Sequence, residues 1–406
     1  MEEYIVEKKQ KSHFWKGALV GALAMFIAVI GTVAVMYYSG FNLIIGGNTT
    51  DSKVQQKLTY FEQLIDAYYL YSDDVTEEML EEGIYTGYIN ALGDPYSVYY
   101  NEEDTQALYE STTGEYSGIG VVFSQNMSTK ISTAVQVYKN SPAEEAGIKE
   151  GDILYKVNGR DITAEDLTDV VAEIRGEEGT TVELTVMRGT DLEEVTVEVT
   201  RRKIEVETVT YEMKEDNIGY ISVTEFDKVT YDQFAAALEE LKAQGMEGLV
   251  IDLRSNPGGN LSTVVNMLDL MLPEGIVVYT EDKNGEREEY TSDAAQEYDG
   301  PLAVLVNGYS ASASEIFAGA IQDYEAGSIV GTTSYGKGIV QQLIPLSDGT
   351  CVKLTVSEYF TPNGRNIHGV GIEPDVEIEY EADVENADAD NQLDGAIAEV
   401  KKQMAE

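Results

Sequence analysis

Apolar and polar positions follow four different rhythms along this chain. Residues Ala18 to Tyr38 are almost continuously apolar and uncharged, close to the roughly 20 residues that a membrane-spanning helix requires. Lys8, Lys9, Lys11 and Lys16 precede the run, Trp15 stands at one end and Tyr37-Tyr38 at the other, as suits two membrane interfaces. A cleaved signal peptide would be shorter and end in small residues. The pattern therefore predicts a transmembrane helix over 18–38, a cytoplasmic segment 1–17, and a body outside the cell membrane. After a Gly/Asn/Thr linker, residues 51–110 predict helices, with Leu58, Phe61, Leu64 and Ile65, then Met79, Leu80, Ile84 and Tyr88, at helical spacing. Gly93-Asp94-Pro95-Tyr96-Ser97 reads as a turn. From Gly114 to about Arg202 the rhythm is short strands punctuated by glycine, with one helix near Ala164–Ile174. From about Thr208 to Tyr380 strands and helices alternate. Gly248–Leu253 and Leu302–Val306 are apolar runs, each followed by a glycine- or serine-rich turn and a helical pattern, the signature of parallel α/β structure. Residues 381–406 are mostly Ala, Asp and Glu and predict an acidic, solvated tail, with room for a final helix.

Composition narrows the chemistry. The chain has 406 residues, 43% of them hydrophobic, enough for two or three domains with real cores. Its net charge of −46 repels phosphate backbones and excludes nucleic acid as a partner. Cys351 is the one cysteine and His13 and His368 the two histidines, so a disulfide framework, a cysteine zinc cage and a His-rich metal centre are all excluded. No metal or cofactor is expected, and any acid–base chemistry must look beyond histidine for its base.

Residues 115–200 carry a distinct set of motifs. Ser117-Gly118-Ile119-Gly120-Val121-Val122-Phe123 places two glycines before a strand; Ser141-Pro142-Ala143-Glu144-Glu145-Ala146-Gly147-Ile148 and Gly151-Asp152-Ile153-Leu154-Tyr155-Lys156-Val157-Asn158-Gly159 follow. This order resembles PDZ domains, in which backbone N–H groups of a glycine loop hold a terminal carboxylate and the next strand accepts the peptide. The resemblance implies that Ile119, Gly120 and Val121 form the peptide-binding loop and strand start.

Three further segments bear candidate chemistry. Gly248 to Asn260 is a buried strand running into the turn Asn256-Pro257-Gly258-Gly259, whose N–H groups suit an oxyanion. Val306 to Glu315 contains Ser310, Ser312 and Ser314; Tyr335 to Gln342 holds Lys337 between two glycines. Ser312 and Glu315 also match a capping box, and the lysine alone could be an ordinary surface residue. Their chemical fit makes the catalytic reading competitive, because a serine needs a base and a lysine supplies one when burial lowers its pKa. The small Ala311 and Ala313 leave room beside Ser312, and the Ala313 N–H is available to an oxyanion. On residues alone, Ser310 and Ser314 are rival nucleophiles.

Taken together, these motifs resemble the carboxyl-terminal processing peptidases, the S41 serine proteases with a Ser-Lys dyad. The resemblance runs from about residue 55 to 380. It rests on D-L-R-x-N-P-G-G, N-x-x-S-A-S-A-S-E-I, G-x-x-S-Y-G-K-G-x-V-Q and G-x-G-I-x-P-D. It implies Ser312 as nucleophile, Lys337 as general base, Gln341 orienting the lysine, and Gly258 with the Ala313 N–H as oxyanion hole. The expected fold is an S41/crotonase-like α/β protease core with a mixed sheet over 205–380, an inserted PDZ domain over 115–200, an N-terminal helical segment over 51–110 and one transmembrane helix. The expected function is a membrane-anchored serine endopeptidase that cleaves extracytoplasmic proteins near free C-termini, gated by its PDZ domain. A catalytically inactive anchored PDZ scaffold is the alternative, and an acyl-transfer enzyme of crotonase type a more distant one. A homo-oligomer is left open.

Overall fold

The computed structural model describes residues 52–382, 386 and 389–405. Among them no helix is long and apolar enough to cross a membrane. This corrects the expected fold class: the spanning helix is no part of the described fold, and segments 1–17 and 18–38, on which that expectation rested, lie outside the described residues. The chain divides into two compact units, residues 1–81 and 82–406. The described part of the first holds helix α1 (Ser52–Tyr68) and a 3-10 turn, Ser72–Asp74; α2 (Glu77–Asn90) follows. The expected helical segment also contains a strand, β1 (Val98–Tyr100), ahead of α3 (Glu102–Thr113).

The core of the C-terminal half is built on a six-stranded sheet of order β10-β11-β12-β15-β16-β19. Its members are β10 (Val209–Met213), β11 (Ile218–Val223), β12 (Gly248–Asp252), β15 (Leu302–Val306), β16 (Ser328–Gly331) and β19 (Val376–Glu377). Only β10 runs antiparallel to its neighbour; the remaining pairs are parallel. Strands β12 and β15 are buried at every residue, which explains their unbroken apolar sequences: a parallel sheet is covered on both faces. Ile251 and Val304 pack with helices α6 (Thr230–Ala243), α7 (Leu261–Asp269) and α8 (Ala313–Asp323) on one face. Val250, Ala303 and Leu305 face the other way.

That second face carries the main surprise of the C-terminus. The stretch expected as a solvated tail with room for a final helix does form one, α9 (Asn391–Met404), but its Leu393, Ala396, Ile397, Val400 and Met404 pack on the sheet instead of facing solvent. Helical spacing puts these apolar residues on one stripe despite the acidic composition around them. Arg254, just after β12, clamps the helix start: its guanidinium pairs with Asp252 at 2.6 Å and Asp390 at 2.7 Å.

A second, antiparallel sheet contains β1, β13 (Gly275–Asp282), β14 (Arg287–Ser292), β17 (Ile339–Pro345) and β18 (Cys351–Phe360). Between α3 and β10 lies the inserted module. A ribbon of β2 (Glu115–Gly118) and β9 (Arg202–Glu205) joins it to the core. Its sheet has β3 (Val121–Gln125) at one end, then β4 (Ser132–Val137), β5 (Ile153–Val157), β7 (Thr181–Arg188) and β8 (Glu193–Thr200), with β6 (Arg160–Asp161) paired to β5. Helices α4 (Pro142–Ala146) and α5 (Leu167–Ile174) complete it around Leu154, Val157, Val170 and Leu184, all fully buried.

Candidate active site

The parallel strands β12 and β15 end side by side, and the turns that follow them build the site, as expected at the C-terminal edge of such a sheet. The first turn must approach the second very closely. Gly258, at φ 107°, has no room for a side chain: a Cβ there would lie 2.8 Å from Ser312 Cβ and 2.9 Å from Ala313 N. Asn256, fully buried, braces the first turn. Its amide donates to Val223 O at 2.8 Å and its Oδ1 accepts the Gly258 N–H at 2.8 Å.

The three candidate serines have different fates. Ser310 and Ser314 are fully buried and donate their hydroxyls to Leu253 O at 2.8 Å and Asn256 O at 3.0 Å. They stitch the two turns together. Ser312 alone of the three lines a cleft of about 600 Å³. It adopts φ 54° and ψ −112°, a conformation that non-glycine residues hold only when their surroundings enforce it. Here the enforcing bonds are visible: Tyr359 donates its hydroxyl to Ser312 O at 3.0 Å, and the Ser312 N–H donates to Glu315 Oε2 at 2.9 Å.

Glu315 is more than the partner in the expected capping box, which is present. Fully buried, its carboxylate also accepts the Ser334 hydroxyl and the Gly336 N–H, each at 2.6 Å, and the Lys337 N–H at 2.8 Å. One carboxylate therefore fixes the backbone of both Ser312 and Lys337. Charge-assisted bonds of this kind are the strong ones. The sequence signalled only the local half of this role, because Ser334–Lys337 arrive from 19 or more positions away.

Lys337 is half-buried and lines the same cleft as Ser312. Burial pushes its pKa below the ordinary lysine value; the nearby Lys353 pushes the same way and Glu315 opposes. Its Nζ lies 4.9 Å from the centre of the Tyr96 ring, a residue from the Gly93–Ser97 turn that the sequence reading left without a role. That turn is docked onto β18, Ser97 Oγ accepting the Thr355 N–H at 3.1 Å. Gln341 shares the cleft wall, yet its amide donates to Thr355 Oγ1 at 3.4 Å and not to the lysine. His368 is exposed and outside the cleft.

Of the two expected oxyanion donors, the Ala313 N–H, at the first position of α8, has no hydrogen-bond partner among the described residues. The other, Gly258, has its N–H bonded to Asn256 Oδ1 at 2.8 Å in this arrangement. The neighbouring Gly259, which lines the cleft, has an N–H without a partner among the described residues.

Comparison with known proteins decides the family. A model described as peptidase family S41 matches residues 217–378, and a PDZ domain model matches 133–188. The carboxy-terminal processing protease CtpA of Bacillus subtilis (strain 168) is 35% identical over 361 residues, spanning 88% of this chain and 76% of the relative. A probable CtpA-like serine protease of Staphylococcus aureus (strain COL) is 34% identical over 374 residues, 91% of this chain and 74% of that one. The chain belongs to the S41 carboxy-terminal processing proteases. Among solved structures, a photosystem II D1 C-terminal processing protease is 31% identical, covering 74% of this chain and 83% of that one at a TM-score of 0.46. Membership of that family makes this protease a serine-type endopeptidase with a PDZ domain, acting on proteins.

The PDZ match begins after the glycine loop, so the loop is read from geometry. Ile119 packs into the module's core, and Gly120, at φ 78°, sits so tightly against Ser141 that a Cβ would collide with it. The N–H groups of Ile119 and Gly120 have no hydrogen-bond partner among the described residues, while their carbonyls bond Ala143 and Tyr138 N–H groups. Val121 opens β3, which pairs on one side with β4 and ends its sheet on the other.

Proposed function

We propose that Ser312 is the nucleophile and Lys337 its general base, and that the protease cleaves protein substrates near free C-termini held by the PDZ domain. The observation that carries this reading is the pairing, in one cleft, of a serine pinned in a left-handed conformation with a lysine whose pKa burial depresses. Neutral Lys337 Nζ takes the proton of Ser312 Oγ as the oxygen bonds to the scissile carbonyl carbon. The Ala313 N–H receives the developing oxyanion, joined by the glycine turn once Gly258 releases Asn256 or through the open Gly259 N–H. As the C–N bond breaks, Lys337 returns the proton to the leaving amine. Water, deprotonated by the same lysine, then hydrolyses the acyl-enzyme. Turning Lys337 from Tyr96 towards Ser312, with Gln341 released from Thr355 to orient it, is the step assigned to substrate binding.

The PDZ loop supplies tail affinity and gating. Two free N–H groups suit a carboxylate, and the open edge of β3 suits an added strand. Helix α3 supports the gating part. Its Leu108, Ser111 and Thr112 line the catalytic cleft, and its C-terminal Gly114 leads through β2 directly to the loop. Arg175 of the module pairs with Glu110 of α3 at 2.7 Å and lies 4.8 Å from the Tyr116 ring centre. A bound tail therefore acts on an element shared with the cleft.

The test is hydrolysis of a fluorogenic peptide with a free C-terminus. Ser312→Ala and Lys337→Ala should abolish it, and Lys337→Arg should not rescue, since arginine does not deprotonate. Amidating the peptide's C-terminus should sharply lower kcat/KM. Near-native turnover by Lys337→Arg refutes the dyad, and indifference to amidation refutes tail recognition.

A further inference from the structure

One wall of the cleft is the segment Glu225-Phe226-Asp227. It is held against the glycine turn by Phe226 N–H donating to Gly258 O at 2.9 Å and Asn260 N–H donating to Phe226 O at 2.7 Å. Asp227 lines the cleft together with Ser312 and Lys337, and is only 4% exposed. Buried carboxylates are ordinarily paired or hydrogen-bonded, and an Asp ahead of a helix ordinarily caps it. Asp227 does neither. Helix α6 starts at Thr230 without a side-chain cap. Thr230 makes the local turn, its Oγ1 accepting the Asp227 N–H at 2.9 Å and its N–H donating to Asp227 O at 3.1 Å. The carboxylate itself has no hydrogen bond or ion pair among the described residues, and its oxygens open to the cleft rather than being sealed in the core.

Its surroundings make ionisation costly without a partner. Oδ2 lies against Gly114 at the C-terminal end of α3, where a Cβ would come within 3.0 Å of it. Burial first, and the charge of Glu225 second, push its pKa up to about 7. The other titratable groups lining the cleft are Lys337, Lys353, Tyr290 and Tyr359. Lys337 lies over Tyr96 and Lys353 over Tyr100, and neither pairs with Asp227.

We propose that Asp227 is a specificity-determining residue that receives a cationic side chain, Lys or Arg, from the peptide segment beside the scissile bond. A cation supplies both the donor and the charge that the buried carboxylate lacks. A neutral donor supplies only the first, and an acidic side chain is repelled by Glu225 as well. The inference rests on the reading of the Ser312 cleft as the catalytic one.

The experiment walks a lysine through the three positions on either side of the scissile bond of one peptide, each with a norleucine counterpart. Wild-type and Asp227→Asn enzymes are compared at pH 8. At one position the wild type should favour lysine by on the order of tenfold to a hundredfold in kcat/KM, the worth of a charge-assisted hydrogen bond. Asp227→Asn should bring that ratio near one, and in the wild type it should fall as the pH drops below 7 and the acid takes up its proton. The ratio cancels any general loss of activity. Ratios equal in the two enzymes at every position, or an equal loss on both peptides, overturn the proposal. Measuring the same lysine preference as binding to Ser312→Ala enzymes requires no turnover, so failure of the dyad and failure of Asp227 as a specificity residue are separable.

Discussion

Replacing Glu315 by Gln removes one charge and almost no volume from the junction between nucleophile and base. Glu315 Oε1 accepts from Ser334 and Gly336, and Oε2 from Ser312 and Lys337. A glutamine keeps one acceptor oxygen and turns an NH2 group toward two donors. The less costly orientation places that NH2 at Ser334, whose hydroxyl can rotate to accept, leaving the Gly336 N–H buried and unsatisfied. One orphaned N–H costs about 1–3 kcal/mol, and the remaining bonds lose their charge assistance. Together the loss is about 3–5 kcal/mol, an orphaned donor plus the charge assistance of the bonds that remain. That predicts a fall in Tm on the order of 10 °C. Differential scanning calorimetry in a Ser312→Ala background, which prevents self-cleavage, reads this directly. In the active background kcat should fall steeply, because the Ser312 and Lys337 backbones are no longer held in register. The pH profile should move the other way from simple damage. Glu315 raises the Lys337 pKa, and activity needs neutral lysine, so losing the carboxylate charge lowers that pKa and shifts the acid limb to lower pH. A Glu315→Gln enzyme with native Tm, native kcat and an unmoved acid limb would refute the role assigned to the carboxylate.

Lys353→Gln tests the opposite electrostatic contribution. Lys353 lowers the Lys337 pKa, so removing its charge should raise that pKa and shift the acid limb of kcat/KM to higher pH; an unchanged limb contradicts the coupling. Arg254→Met should cost about 3–5 kcal/mol by leaving Asp252 and Asp390 without their shared cation, read as a lower urea midpoint and faster proteolysis within α9. Equal stability would mean that packing alone holds the helix.

Much of this protein is legible from short stretches of sequence, because the physics concerned is local. A strand buried on both faces must read as an unbroken apolar run, so Gly248–Leu253 and Leu302–Val306 announced their parallel sheet. Turns that bring a backbone against a neighbour require glycine, so Gly258 and Gly120 marked two tight turns. Tertiary structure alone decided which donors and acceptors those turns would meet. Ser310, Ser312 and Ser314 are equivalent hydroxyls in one run, and only the approach of the β12 turn buries two of them on carbonyls and leaves Ser312 facing the cleft. The same approach turns the Gly258 N–H onto Asn256. Glu315 reads as a helix cap until Ser334–Lys337 come to it across the fold, and Tyr96 reads as turn filler until β18 docks its turn beside Lys337. The acidic C-terminus hides an apolar stripe that becomes a packed helix only because the sheet offers it a second face. Asp227 carries no sequence signal at all, since what sets it apart is having no partner among the described residues, and that is fixed only once every neighbouring element has been placed.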